Sequence, residues 1–467
     1  MKITLKIMRW TCVIYILYFV FSCLVLPLFQ KTVSPEYQDN FITSGNRNSA
    51  VDTEQILCID DNVDALIWRL RMMEEAQEEI ILSTFDFGDD DSGREIMAAL
   101  LQAADRGVQV KVIVDGINGF LKLNGSSHFK ALVSSPNVEA RFYNPVNLLV
   151  PWRLNYRMHD KYIIVDNGIY MLGGRNTNDL FLGEDKGNQN VDRDILVYER
   201  VPGEGTSLQQ IRDYFDSVWS LPVCKDCSGG RGRKIDIAGQ ELKDLYEAMK
   251  EDYPEAFGGT DWEQVTFPAR SVTLLVNPTT ADNKAPELWY CLCQQMKEGQ
   301  EIFVQTPYII CNRKMYDDLK ELCEEGRQIQ ILTNAVENGA NPWGCVDYLN
   351  EKDNLLETGV VVFEYLGGRS LHTKTILIDT DISIVGSFNT DMRSAYLDTE
   401  TMIVIDCPAL NALLRERAEE DMEYCRHVLP DGTELPGGKY EPKKMSLGMR
   451  AVYKALQRIL SSFRHIL

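Results

Sequence analysis

His159-Asp160-Lys161-Tyr162-Ile163-Ile164-Val165-Asp166, followed by Gly173-Gly174-Arg175-Asn176, has a second copy far down the chain. It reads His372-Thr373-Lys374-Thr375-Ile376-Leu377-Ile378-Asp379, followed by Gly386-Ser387-Phe388-Asn389. The offsets agree throughout: two from His to Lys, five from Lys to Asp, seven from Asp to the first Gly and three from Gly to Asn. The chain has five histidines, and two of them hold the same place in both copies. One such match would carry little. Two copies with a shared glycine and asparagine tail predict a duplicated unit and a site built from both.

The residue types suit chemistry at phosphorus. The apolar run after each lysine reads as a strand, and residues two apart on a strand share a face. The expectation is that His159 and Lys161 project together, as do His372 and Lys374. A histidine can attack phosphorus or give a proton to a departing alkoxide near neutral pH. A lysine beside it neutralises phosphate oxygens where charge develops. The glycines permit a tight turn, and the amides of Asn176 and Asn389 can donate to phosphate. One histidine is not enough for a two-step displacement; two facing halves supply a nucleophile and an acid/base. Asp166 and Asp379 are candidate catalytic residues, with holding a turn as the alternative. Arg175 reads as a phosphate ligand or as half of a salt bridge.

The duplication extends beyond the motifs. Ala65–Ala76 has helical spacing, Glu79–Phe87 reads as a strand, Gly93–Arg106 as a helix ending at Gly107, and Val108–Val114 as a strand. Ala285–Lys297, Glu301–Thr306, Lys314–Glu325 and Gln328–Leu332 repeat that scheme, with Gly326 in the place of Gly107. Alternating strands and helices predict mostly parallel sheets covered by helices. The expected fold is α/β: two duplicated α/β sandwich halves with the active site at their interface, plus an N-terminal transmembrane helix. The expected divisions are an anchor at 1–30, a tether at 31–54, a first half at 55–222, a connector at 223–267, a second half at 268–430 and a basic amphipathic segment at 431–467.

The paired H-x-K-x4-D motifs resemble those of the phospholipase D superfamily. Arg157-Met158-His159-Asp160-Lys161, Gly173-Gly174-Arg175-Asn176, Gly386 to Arg393 and Thr306-Pro307-Tyr308 are similar to the bacterial cardiolipin synthase-like branch. The resemblance spans roughly residues 55 to 430. It implies a phosphatidyltransferase that works through a covalent phosphatidyl-histidine, with a phospholipid substrate such as phosphatidylglycerol and with no metal or other cofactor. It further implies an acidic residue behind each catalytic histidine. These are assigned to Asp194 in Val191-Asp192-Arg193-Asp194 and to Glu400 in Leu397-Asp398-Thr399-Glu400, although the two contexts differ. The resemblance leans to His159 as the nucleophile. Hydrolysis of the same intermediate, as in a phospholipase D or a nuclease, remains open, as does a non-catalytic interaction module.

The formal net charge of −21 speaks against a nucleic-acid partner, since a polyanion is repelled except at a local basic site. Trp10 to Phe29 carries no formal charge and is long enough to cross a bilayer. Lys2, Lys6 and Arg9 precede it, so the chain is expected to be a single-pass cell-membrane protein with its catalytic part extracytoplasmic. A cleaved signal peptide is the rival. Cys224-Lys225-Asp226-Cys227 reads as a disulfide or a spacer more readily than as a metal site. Near the C-terminus, apolar residues recur at three and four while Arg450, Lys454 and Arg458 share another face. That pattern predicts a helix lying in a membrane interface or docked on the protein's own surface.

Overall fold

The computed structural model describes residues 2–43, 53–184, 187, 189–201, 207–339 and 341–466. The first half contributes β1 (Glu54–Ile59), β2 (Glu79–Thr84), β3 (Gln109–Asp115), β4 (Val138–Tyr143), β5 (Lys161–Val165), β6 (Ile169–Gly173), β7 (Asn190–Val191), β8 (Asp194–Glu199), β9 (Lys225–Asp226) and β10 (Phe267–Pro268). The second contributes β11 (Ser271–Val276), β12 (Glu301–Gln305), β13 (Ile309–Ile310), β14 (Gln328–Asn334), β15 (Val361–Tyr365), β16 (Ser370–Leu371), β17 (Thr375–Ile378), β18 (Ile382–Gly386), β19 (Thr390–Asp391), β20 (Thr401–Asp406), β21 (Cys425–Val428) and β22 (Glu434–Pro436). The order β1-β8-β6-β5-β2-β3-β4 in one sheet recurs as β11-β20-β18-β17-β12-β14-β15 in the other. The duplication read from the motifs is therefore a duplication of topology.

Each sheet is mixed, not mostly parallel. Only β2-β3-β4 and β12-β14-β15 run parallel, with helices between consecutive strands; the remaining neighbours are antiparallel. The cause is local. Asp166 and Asp379 adopt positive φ, of 49° and 46°, and turn β5 into β6 and β17 into β18. A tight hairpin can join only antiparallel strands.

The two sheets pack face to face. On β5, Tyr162 and Ile164 join Phe303, Leu377, Val385 and Ile403 in one core between the sheets. Ile163 and Val165, on the alternate face, join the helices Asn62–Glu75 and Asp91–Asp105. The molecule is thus layered helix, sheet, sheet, helix.

The flanking segments are more engaged than their polar composition suggested. Within 223–267, β9 pairs with β4, β10 pairs with β1, and the helix Arg233–Asp252 buries Leu242, Tyr246 and Met249 against the first half. The expected connector is a layer of the first half. In the expected tether, Pro35–Thr43 is a helix whose Tyr37 and Phe41 pack on Tyr290; residues 44–52 lie outside the described residues. The helix Leu447–Leu460 docks on the second half through Tyr453 and Leu460, leaving Arg450, Lys454 and Arg458 exposed. Among the described residues, one helical stretch, Thr4–Leu28, is long and apolar enough to cross a membrane. Cys224 and Cys227 are both free thiols, each pushed up to about 12 by burial.

Candidate active site

The two histidines sit just before their strands rather than on them. His159 follows an isolated bridge between Met158 and Thr399, and its amide donates to the Thr399 carbonyl at 3.2 Å. His372 follows β16, which pairs in parallel with β7, and its amide donates to the Val191 carbonyl at 2.7 Å. Each histidine segment is thereby threaded onto the segment of the other half that carries the acid. The sandwich is closed by these two exchanges.

The side chains repeat the exchange. His159 Nδ1 lies 2.9 Å from Glu400 Oε1, and His372 Nδ1 lies 2.6 Å from Asp192 Oδ2. Both carboxylates are fully buried, while the rings keep 12% and 21% exposure. With Nδ1 held by the acid, Nε2 of each ring is the nitrogen turned to chemistry, that of His372 lying 3.3 Å from Lys374 Nζ. Phe85 stands edge-on to His159 at 5.0 Å between ring centroids, and Phe181 stands edge-on to His372 at 4.8 Å. These rings fix the imidazole planes by packing.

The acid behind His372 is Asp192, which corrects the assignment to Asp194. Sheet register explains the difference. Gly173 pairs with Asp194 in one half, and Gly386 pairs with Met402 in the other. Asp194 is therefore the counterpart of Met402, and the residue two before it, Asp192, is the counterpart of Glu400. Asp194 instead takes Arg69 at 2.9 Å and Arg175 at 3.3 Å in a fully buried cluster. Arg175 also donates to the carbonyls of Ile59, Asp60 and Asp192, so it is a buried clamp on β1 and the Asp192 loop.

Asp166 and Asp379 are not in the site. Asp166 accepts from the backbone amides of Gln77, Glu78 and Glu79 at 2.8–2.9 Å, and Asp379 from those of Gln300 and Glu301. Both lie seven residues beyond their histidine, at the far end of a strand, up to roughly 23 Å away at about 3.3 Å per residue. They hold the hairpin turn and the entry to the neighbouring strand.

Lys161 and Lys374 are almost completely buried at the heart of the site. Lys374 Nζ lies 2.6 Å from His372 Nδ1 and 3.7 Å from Asp192 Oδ2. Lys161 Nζ lies over the Phe85 ring, 5.1 Å from its centroid. Burial, with Lys374 opposing Glu400, brings Lys161 down to about 7. Burial and the adjacent Lys374 bring His372 down to about 4, and burial and Lys161 likewise hold His159 well below its usual range. The two carboxylates diverge. Burial raises Glu400 to about 8 despite Lys161, Ser387 and Ser394. Burial also works to raise Asp192, but Lys374, His372 and Arg175 outweigh it and hold it at about 2.

Asn176 and Asn389 are buried, and the Oδ1 of each has no hydrogen-bond partner among the described residues. The Asn389 Nδ2 lies 3.1 Å from the Tyr308 hydroxyl, which can donate equally well to the amide turned over. Residues that the motif did not point to complete the frame. Arg157 pairs with buried Asp115 at 2.7 Å, Asp398 receives the Arg157 amide, and Ser387 and Ser394 hold Glu400. Their signal was the flanking Arg157 and Gly386-to-Arg393 stretches, whose partners only the fold supplies.

The family model described as "Cardiolipin synthase, PLD-like domain" matches residues 70–219 and 292–422. Cardiolipin synthase C of Escherichia coli (strain K12) is 28% identical over 413 residues, covering 77% of this chain and 83% of that protein. A cardiolipin synthase of Clostridium perfringens (strain 13 / Type A) is 25% identical over 401 residues, covering 85% and 76%. The crystal structure of phosphatidylserine synthase from Haemophilus influenzae Rd KW20 superimposes with a TM-score of 0.63 over 92% of this chain and 99% of that one, at 16% identity, and so shares the fold. With both motif copies inside the matched residues, the chain belongs to the cardiolipin synthase, PLD-like domain family and is a cardiolipin synthase-like phosphatidyltransferase of the phospholipase D superfamily.

Proposed function

We propose that this protein joins two phospholipids at the membrane surface through a phosphatidyl-histidine intermediate, with phosphatidylglycerol as donor and acceptor and cardiolipin as product. The observation that carries the reading is the crossed pair of buried carboxylates, each holding a histidine of the other half. In the first step the neutral Nε2 of one histidine bonds to the donor phosphorus. The bond from phosphorus to the glycerol head group breaks, and the second imidazolium gives its proton to the departing alkoxide. In the second step a hydroxyl of another phosphatidylglycerol gives its proton to that second histidine and attacks phosphorus, and the P–N bond breaks.

The electrostatics support a division of roles. A proton donor must exist as an imidazolium, which an ionised carboxylate stabilises. The surrounding cations push Asp192 toward its ionised form and burial pushes Glu400 toward its neutral form, which favours His372 as the acid/base and His159 as the nucleophile. A phosphodiester anion beside His372 raises its depressed pKa, since an opposite charge favours the imidazolium. Lys161 and Lys374 take the charge on the non-bridging oxygens, and the amides of Asn176 and Asn389 turn an NH2 toward them. Asp192 and Glu400 orient the rings without touching the reacting atoms.

The setting at a membrane has its own support. The end of the apolar helix is tied to the catalytic loop: Asn155, four residues before His159, donates to the Cys23 carbonyl at 2.7 Å. The flank Lys2, Lys6 and Arg9 favours an N-terminus in the cytoplasm and a catalytic part outside. The test is product analysis with the purified full chain in phosphatidylglycerol vesicles. Cardiolipin and free glycerol in equal amounts are expected. Phosphatidic acid in place of cardiolipin would make the enzyme a hydrolase.

A further inference from the structure

The geometry points to a lipid-inserting loop: Val146 to Val150 enters the bilayer beside the N-terminal helix and sets the catalytic face against the membrane surface. The inference rests on the reading of that helix as a membrane anchor. Val146, Leu148 and Leu149 are exposed, Leu149 by 79%. A loop tip carrying leucines in water gains nothing, and burying each in hydrocarbon is favourable. What distinguishes this loop is its neighbour. Tyr15 donates its phenol to the Leu148 carbonyl at 2.8 Å, and Tyr18 donates to the Leu149 carbonyl at 2.9 Å. Both tyrosines lie within the apolar stretch Thr4–Leu28.

Depth follows from helix geometry. Polar contacts mark where the helix leaves the membrane: His465 meets the Leu24 carbonyl at 2.6 Å, and Asn283 donates to the carbonyls of Leu26 and Phe29. At about 1.5 Å per residue, Tyr18 lies roughly 9 Å and Tyr15 roughly 14 Å below Leu24. Half of a hydrocarbon core is about 15 Å, so the two leucines reach well into one leaflet.

Irregular backbone at that depth meets no water and needs internal partners for its polar groups. The two phenols supply them for the carbonyls. The loop supplies others itself: the Leu149 amide donates to Asn147 Oδ1 at 3.0 Å and the Val150 amide to the Asn147 carbonyl at 3.1 Å. The helix thus carries donors spaced to satisfy a loop of the catalytic half within lipid. A second exposed apolar pair follows a glycine packed at the root of this loop. Phe120 and Leu121 are exposed by 54% and 71%, and a Cβ at nearby Gly116 would strike the Tyr143 carbonyl and Pro145, at the root of the same loop.

Photocrosslinking tests this with the full chain in vesicles of phosphatidylglycerol and phosphatidylethanolamine. p-Benzoylphenylalanine replaces, one at a time, Leu149, Leu17 on the exposed face of the anchor, and Ile237. Ile237 is exposed near the start of the helix Arg233–Asp252, by the Gly230–Ser134 contact at the sheet end opposite Tyr143. Lipid adducts are expected at Leu149 and Leu17 and not at Ile237. Adducts at Leu17 alone overturn the inserted loop and leave the anchor standing. Adducts at neither position overturn the anchor reading with it. Equal adducts at Ile237 and Leu149 overturn the depth assignment. In Tyr15→Phe/Tyr18→Phe the Leu149 adduct is expected to fall several-fold while that at Leu17 stays; an unchanged Leu149 adduct refutes the role given to the phenols.

Discussion

Nδ1 of His159 meets Oε1 of Glu400 at 2.9 Å, across 241 residues and across the boundary between the two halves. Its counterpart joins His372 to Asp192 in the opposite direction. Neither half owns a complete catalytic dyad. Docking of the halves and assembly of the site are one event.

The crossed dyad separates two neighbouring aspartates. Asp192→Asn should lower kcat by about 10²–10⁴, as expected when a catalytic histidine loses the carboxylate that orients it, and should also lower the thermal midpoint, because it removes the buried charge beside His372 and Lys374. Asp194→Asn should lower the midpoint sharply with little change in kcat. It strands Arg69 and Arg175, and breaking a buried ion pair costs about 3–5 kcal/mol. Steady-state kinetics and thermal melts on both variants check this; equal kinetic defects would contradict the assignment of Asp192.

His159→Asn and His372→Asn should each abolish turnover with the fold retained. They should differ in a single-turnover assay. The His372 variant still has the nucleophile, so rapid quench and intact mass should show a phosphatidyl adduct on His159 that builds up slowly and persists. The His159 variant should show none. The reverse pattern would exchange the two roles.

Asp379→Asn should leave kcat/KM within about twofold. Asparagine tolerates the left-handed conformation at φ 46°, and the site lies a strand away. The charged acceptor for the Gln300 and Glu301 amides becomes a neutral one, at a cost of about 1–2 kcal/mol. Urea melts and kinetics on one preparation decide it; a large loss of kcat would return Asp379 to the chemistry.

The depressed His372 predicts a stability signature. Unfolded, the ring takes up its proton near 6.5; folded, only near 4. Between those values the unfolded chain binds more protons, so this contribution to stability is complete above 6.5 and is lost as pH falls toward 4. The stability of wild type minus that of His372→Asn should therefore decrease on acidification, by up to ~1.4 kcal/mol per pH unit. Urea melts at pH 7, 6 and 5 measure the difference, and a flat difference would mean that the ring is not held neutral.

The sequence by itself determined the duplication, the paired histidines and lysines that the fold brings together, and the boundaries of the helix–strand repeat to within a few residues. Those features are local: they follow from residue type and periodicity along one segment. Asp192 was out of reach because which acid faces a histidine depends on cross-strand register, and Asp194 lies only one side-chain alternation away. Asp166 and Asp379 read as chemistry because the motif contains them, whereas their amide partners Glu79 and Glu301 lie far off in the chain. The mixed sheets were hidden because hairpins interrupt the helix–strand alternation only locally. The opposite shifts of the two acids, Asp192 downward and Glu400 upward, were decided by tertiary structure, since they rest on which cations the fold brings near each buried carboxyl. Burial and opposed charges, set by contacts between the halves, push the acids of two matching motifs in opposite directions, and the division of roles proposed for the two histidines rests on that.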